Sequence, residues 1–274
     1  MKKLSLSLAA AAIMAVSGGQ AQAAACALTP AALDGTYRDF CVREASVPGT
    51  AGGFDDITAD LITGGYSEKF VVTGPGTFFT SAYWNAGQLR KDEGAVNITD
   101  KYLGASNAFG GYGMYGLFSA TGTYVTSGGN TTFTGATATI SLYIDPMVDN
   151  TFSFDGFNNA VAADPSNDDY LIASSSTLLS GEGNVTTGQA NGNFDLLFDD
   201  LVLTAAGLGY FIAPSPFHVQ VDISGQFISF VPGGVSDLAG SADVFFVVPE
   251  PGALALTSLA LLALGGIARR RSAT

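Results

Sequence analysis

The chain has 274 residues with 24 acidic and 11 basic side chains, a net charge of −13, a 47% apolar fraction and 35 glycines. That apolar content supports a packed core and excludes a disordered chain, while the acidity and the lack of a basic stripe exclude nucleic acid as a partner. With only 13% charged residues and glycine so frequent, the composition predicts an all-β protein rich in turns.

At the N-terminus, Lys2 and Lys3 precede an apolar run at 4–16, and small residues lead to Ala21-Gln22-Ala23. A basic start, a short apolar stretch and an A-x-A site predict a signal peptide over 1–23, cleaved before Ala24. Cys26 raises the alternative of a lipidated N-terminus, but a lipobox wants Leu, Val or Ile three positions before its cysteine, where this chain has Ala23. The only other cysteine, Cys41, lies 15 positions on. In an exported chain such a pair predicts one disulfide worth roughly 3 kcal/mol, two unpaired thiols being the alternative.

The body spans 24–247. Once the two ends are removed it keeps six basic and 23 acidic residues, a net charge of −17, and no Lys or Arg follows Lys101 within it. This asymmetry marks either a domain boundary or one unit with an acidic half. Aromatic and β-branched residues predict strands at 66–73, 76–84, 114–125, 131–144, 152–154, 170–172, 193–204, 217–224, 226–231 and 244–248. Alternation is longest in 131–144, as in a half-buried strand. Gly128-Gly129-Asn130, Asp155-Gly156 and Ser224-Gly225 supply turns, and 45–53 reads as loop. The expected architecture is an antiparallel β-sandwich, jelly-roll-like, with a cleaved signal helix before it and a short transmembrane helix after it.

Catalytic residues are scarce. His218 is the only histidine, and its nearest acid on the same strand face, Asp222, lies about 13 Å away along an extended chain. There is no G-x-S-x-G elbow, and the G-x-G-x-x-G match at 111–116 lies between two strand patterns, where it reads as a turn or strand entry rather than a dinucleotide site. Asp168-Asp169 and Asp199-Asp200 are the candidates for a carboxylate-dependent glycoside hydrolase, but the expected role is non-enzymatic. Calcium fits better: Asp164, Asn167, Asp168 and Asp169 form the densest acidic loop, and Asp145, Asp149 and Asn150 form a second. Neither has EF-hand spacing, so solvated turns are the default reading of both loops, and no other cofactor is expected. Tyr83, Trp84 and Asn85, or Tyr112 and Tyr115, offer aromatic platforms for a glycan.

The C-terminal 248–274 is a distinct segment. Val248, Pro249, Glu250 and Pro251 are followed by Gly252, an apolar run at 253–268, and then Arg269, Arg270 and Arg271. The two prolines hold the peptide around Glu250 extended. A helix over the run reaches about 24 Å, a short span, and the arginines orient it with the body outside. Together the Pro-Glu-Pro tripeptide, the short span and the arginine cluster resemble the PEP-CTERM sorting signal of Gram-negative bacteria. That resemblance implies recognition and cleavage by exosortase, transient membrane residence through the helix, and a destination at the cell surface or in the extracellular matrix. The stretches 194–227 and 240–251 are similar to flocculation-associated members of that family. This implies exopolysaccharide as a partner and a part in flocculation or biofilm aggregation.

Overall fold

The computed structural model describes residues 39–50, 56–92, 94–99, 101–186, 191–199, 201–213, 220–228 and 234–247. Two short strands come first, β1 (Phe40–Val42) and β2 (Ile57–Ala59), then two long ones, β3 (Leu61–Gly74) and β4 (Thr77–Lys91). After β5 (Val96–Asn97) follow the long hairpin of β6 (Gly113–Ser127) and β7 (Asn130–Asp145) and the short hairpin of β8 (Thr151–Phe154) and β9 (Ala160–Ala163). The rest comprises β10 (Tyr170–Ser175), β11 (Thr177–Thr186), β12 (Gly192–Asp199), β13 (Val202–Leu203), helix α1 (Ala205–Tyr210), β14 (Phe211–Ala213), β15 (Gln220–Ile228) and β16 (Val235–Val247).

The protein is all-β, as its composition predicts, but the sandwich is corrected to a closed barrel. Staves β3, β4, β6, β7, β11, β12, β15 and β16 each pair antiparallel with the next, and β16 returns to β3 from Val235↔Val71 to Phe245↔Leu61. Alternation tells which side chains point inward, and it is the same in a sandwich and a barrel. What decides closure is that the first and last staves match in length and pair along it, so neither is left as an open edge. The barrel draws staves from both sides of Lys101, so the charge asymmetry runs across one sheet.

Gly128 and Gly129, at φ 58° and 87°, make the predicted turn between β6 and β7, and Asp155-Gly156 turns β8 into β9. Ser224-Gly225 is corrected: it lies inside β15. Gly225 is needed there because a Cβ would come within 2.7 Å of the Phe194 ring and 2.5 Å of the Ser241 carbonyl oxygen. The signal segment, Cys26, His218, Asp200, the tripeptide and the arginine cluster lie outside the described residues. No helix among the described residues is long and apolar enough to cross a membrane.

At the barrel end where β3 begins and β16 finishes, the small sheet β14-β1-β2 packs through Phe40, Phe211 and Phe246, with the Phe40 and Phe246 rings edge to face at 4.8 Å. Buried Glu44 organises the segments beside it. It accepts hydrogen bonds from the Tyr102 and Leu103 amides at 2.8 and 2.9 Å and from the Tyr112 hydroxyl at 2.9 Å. Toward the hairpin end, Phe70 stacks on Phe78 at 4.9 Å and Phe133 meets both edge-on.

A cavity of about 120 Å³ lies inside the barrel, with Tyr66, Trp84, Phe118, Ile140 and Leu196 among its walls. Two acidic residues border it: Glu182 is exposed, its neighbours Gly181 and Gly183 taking the buried face of β11, whereas Glu68 accepts a hydrogen bond from Thr80. Burial pushes Glu68 up to about 7, against the opposing effect of the Thr80 bond. A raised carboxyl favours folding fully below its unfolded value, and that contribution fades as pH climbs through the folded value. Glu68→Gln is therefore expected to match the parent near pH 4 and to exceed it by about 3 kcal/mol above pH 7, read from urea unfolding at the two pH values.

Candidate metal centre

The centre is built by the β8–β9 hairpin lying on the outer face of β4 and β6. Trp84 points into the barrel, so its neighbour Tyr83 points out. Phe152 stacks on Tyr83 at 5.0 Å and meets Tyr115 edge-on at 5.1 Å, while Tyr115 stacks on Tyr143 across β6 and β7. The Ala160 amide donates to the Ser81 hydroxyl at 3.0 Å, fixing the hairpin along the barrel wall. In the hairpin register Thr151 faces Ala163, which places the two flanking loops, 145–150 and 164–169, side by side.

The two acidic loops of the sequence thus become one cluster. Asp145, Asp149 and Asp168 each offer a carboxylate oxygen within 4.8 Å of the others, and so do Asp164, Asp168 and Asp169. Some of these oxygens are already engaged. Asp145 accepts from the Val148 amide at 2.6 Å and the Asn150 amide at 3.3 Å. Asp169 Oδ2 accepts from the Tyr115 hydroxyl at 2.6 Å and from the Asn150 side-chain amide at 2.7 Å. The Asp169 amide donates to Asp164 Oδ2, and Ser166 donates to Asp149 Oδ2.

The others are buried without a donor among the described residues: Asp149 Oδ1, Asn150 Oδ1, Asp164 Oδ1, both oxygens of Asp168, and Asp169 Oδ1. Burying such oxygens unpaired is costly, and natural structures rarely do so. Burial, and then the charges of Asp164, Asp145 and Asp149, push the Asp168 carboxyl up. Burial also raises Asp169, against the lowering effect of its bonds from Tyr115 and Asn150.

Hard oxygens without His or Cys select a hard cation. Calcium takes six to eight oxygens at about 2.4 Å, so opposite ligands lie up to about 4.8 Å apart, and the oxygens of each triad fall within that limit. Magnesium demands about 2.1 Å and a tighter shell.

Of the predicted ligands, Asp164, Asp168 and Asp169 come together with Asp145, Asp149 and Asn150. Asn167 does not: it is exposed at φ 52°, a left-handed corner between Ser166 and Asp168. The aromatic platforms are corrected as well. Trp84, Tyr112 and Tyr115 are buried in packing, and Tyr83 is covered by Phe152, so neither group forms an exposed sugar surface. Tyr115 instead holds Asp169. In the hydrolase pairs, Asp168 and Asp169 belong to the cluster and Asp199 ends β12.

Comparison with known proteins finds no match: no family model, no curated protein and no solved structure is similar to this chain. The functional reading therefore rests on the cluster and on the sequence at the two ends. The two groups that sequence reading did not single out are Glu44 and Glu68. Glu68 had a visible signal, since it shares parity with Tyr66 and Phe70 on the inward face of β3.

Proposed function

We propose that the chain is an exported, non-enzymatic surface or matrix protein, sorted by an exosortase, whose barrel body is fixed by a calcium ion at the junction of loops 145–150 and 164–169. The convergence of Asp149, Asn150, Asp164, Asp168 and Asp169 oxygens without donors carries the calcium part of the reading. The ion holds the base of the β8–β9 hairpin against the barrel and cancels the repulsion that raises Asp168. Its ligand atoms are buried, so it is structural; bridging to acidic polymer falls to the outer surface of a body carrying −17.

The destination is supported by Pro249-Glu250-Pro251, the apolar run and Arg269 to Arg271. A disulfide between Cys26 and Cys41 belongs to the same reading, with Cys41 buried in β1. In the matrix, the body promotes exopolysaccharide-linked aggregation. Complementing a deletion strain with the parent chain is expected to restore flocculation, and complementing with Asp168→Asn plus Asp169→Asn to restore much less. Unchanged flocculation in the deletion strain, in a host shown to export the protein normally, sinks the aggregation role.

A further inference from the structure

Natural cores hold few voids larger than a water molecule, and an engineered apolar cavity of about 150 Å³ stays dry and binds benzene. The barrel encloses about 120 Å³ walled by aromatic and aliphatic side chains, together with the Glu68 carboxyl and the Thr80 hydroxyl. One Glu68 oxygen accepts from Thr80, and the other has no hydrogen-bond partner among the described residues. Thr80 also lies 3.0 Å from the Lys69 carbonyl oxygen, so its single proton is already claimed. An apolar chamber with one unanswered carboxyl oxygen is half of a recognition site.

The wall is interrupted in its strand pairing at one place. β7 pairs with β11 up to Thr134↔Glu182 and with β10 only from Ile140↔Ser175, so 135–139 lack a partner on that side. Gly135 and Gly181 face each other in the gap, and half-buried Leu178 fills it; a Cβ on Gly135 would come within 2.8 Å of Leu178 Cδ2.

We propose that the barrel interior binds a small neutral molecule of about single-ring size bearing one hydroxyl, which donates to Glu68 while its apolar part fills the chamber and which enters past Leu178. The net charge of −17 and the absence of any basic residue from the cavity wall disfavour an anion such as a fatty-acid carboxylate.

The probes are p-cresol and toluene, alike in shape and differing by the hydroxyl, titrated into the full-length protein and followed by calorimetry. The expected result is saturable binding of p-cresol with a Kd below about 1 mM and binding of toluene at least about 10-fold weaker, as for a site whose polar group is left unpaired by the analogue. Glu68→Leu is expected to bring the two within about 2-fold of each other. Ala120→Phe and Ala82→Leu each place bulk in the cavity, and whichever folds is expected to weaken p-cresol at least about 10-fold. No binding of p-cresol at 5 mM (about five times the expected Kd) overturns the proposal. So does equal binding of toluene, or binding that survives a folded cavity-filling variant.

Discussion

Stripping calcium from the full-length protein is expected to lower its thermal midpoint at pH 7 by about 5–10 °C. The size follows from mass action: an ion at a hundred times its Kd adds about 2.7 kcal/mol, and one kcal/mol moves the midpoint about 2–4 °C in a body of this length. The pH dependence follows from the raised carboxyls of Asp168 and Asp169. Without the ion, their contribution to stability is complete below the unfolded carboxylate range and is lost as pH rises through the raised folded values. The ion needs them ionised, so the gap between loaded and chelated protein widens from pH 4 to pH 7. Asp168→Asn removes a repelled charge and a ligand together. In chelator at pH 7 it is expected to melt above the parent, and on adding calcium it is expected not to move. Scanning calorimetry with and without chelator, at both pH values, reads all four outcomes.

Replacing Pro249-Glu250-Pro251 by three alanines is expected to convert a released protein into a retained one. Under the proposed sorting the parent tail is cut near the tripeptide, which would leave the body free of 253–268 and of Arg269 to Arg271. Alanine favours helix where proline disfavours it, so the replacement is expected to remove the extended conformation on which the proposed cleavage depends. Cell fractionation and intact mass are expected to place nearly all of the variant in the inner-membrane fraction with its arginines present, against nearly none of the parent. A released parent that keeps Arg269 to Arg271 would falsify the sorting account.

The sequence made the strand content readable because period-two alternation is local. Residues 131–144 read as a strand and form most of β7, the expected segments at 66–73 and 114–125 lie within longer staves, and 76–84 falls in β4 except for Gly76, which belongs to the turn before it. Strands β11 and most of β16 escaped because TLLSGEGNVT and VSDLAGSAD carry small and polar residues where a strand signature needs branched ones. Their glycines have a reason that only the barrel supplies: a Cβ would meet Leu196 at Gly181, Phe133 and Phe194 at Gly183, and Tyr66 at Gly240. Ring closure was hidden as well, since pairing Val235 with Val71 joins residues far apart in the chain.

The candidate ligands were legible as two acidic loops, and their union was not. It depends on Thr151 facing Ala163 and on Phe152 seating the hairpin against Tyr83, both of which are tertiary facts. The same packing turned Tyr115 from a supposed sugar platform into the donor that orients Asp169.

Equilibrium dialysis of radioactive calcium against chelator-treated full-length protein tests the central claim most directly. The account predicts saturable binding of one ion per chain, with a Kd between about 10 µM and 1 mM, loss of that binding in Asp168→Asn, and little competition from an equal concentration of magnesium. Absence of saturable binding at about 10 mM calcium, well above the weakest affinities typical of extracellular modules, would contradict it, as would identical binding by Asp168→Asn.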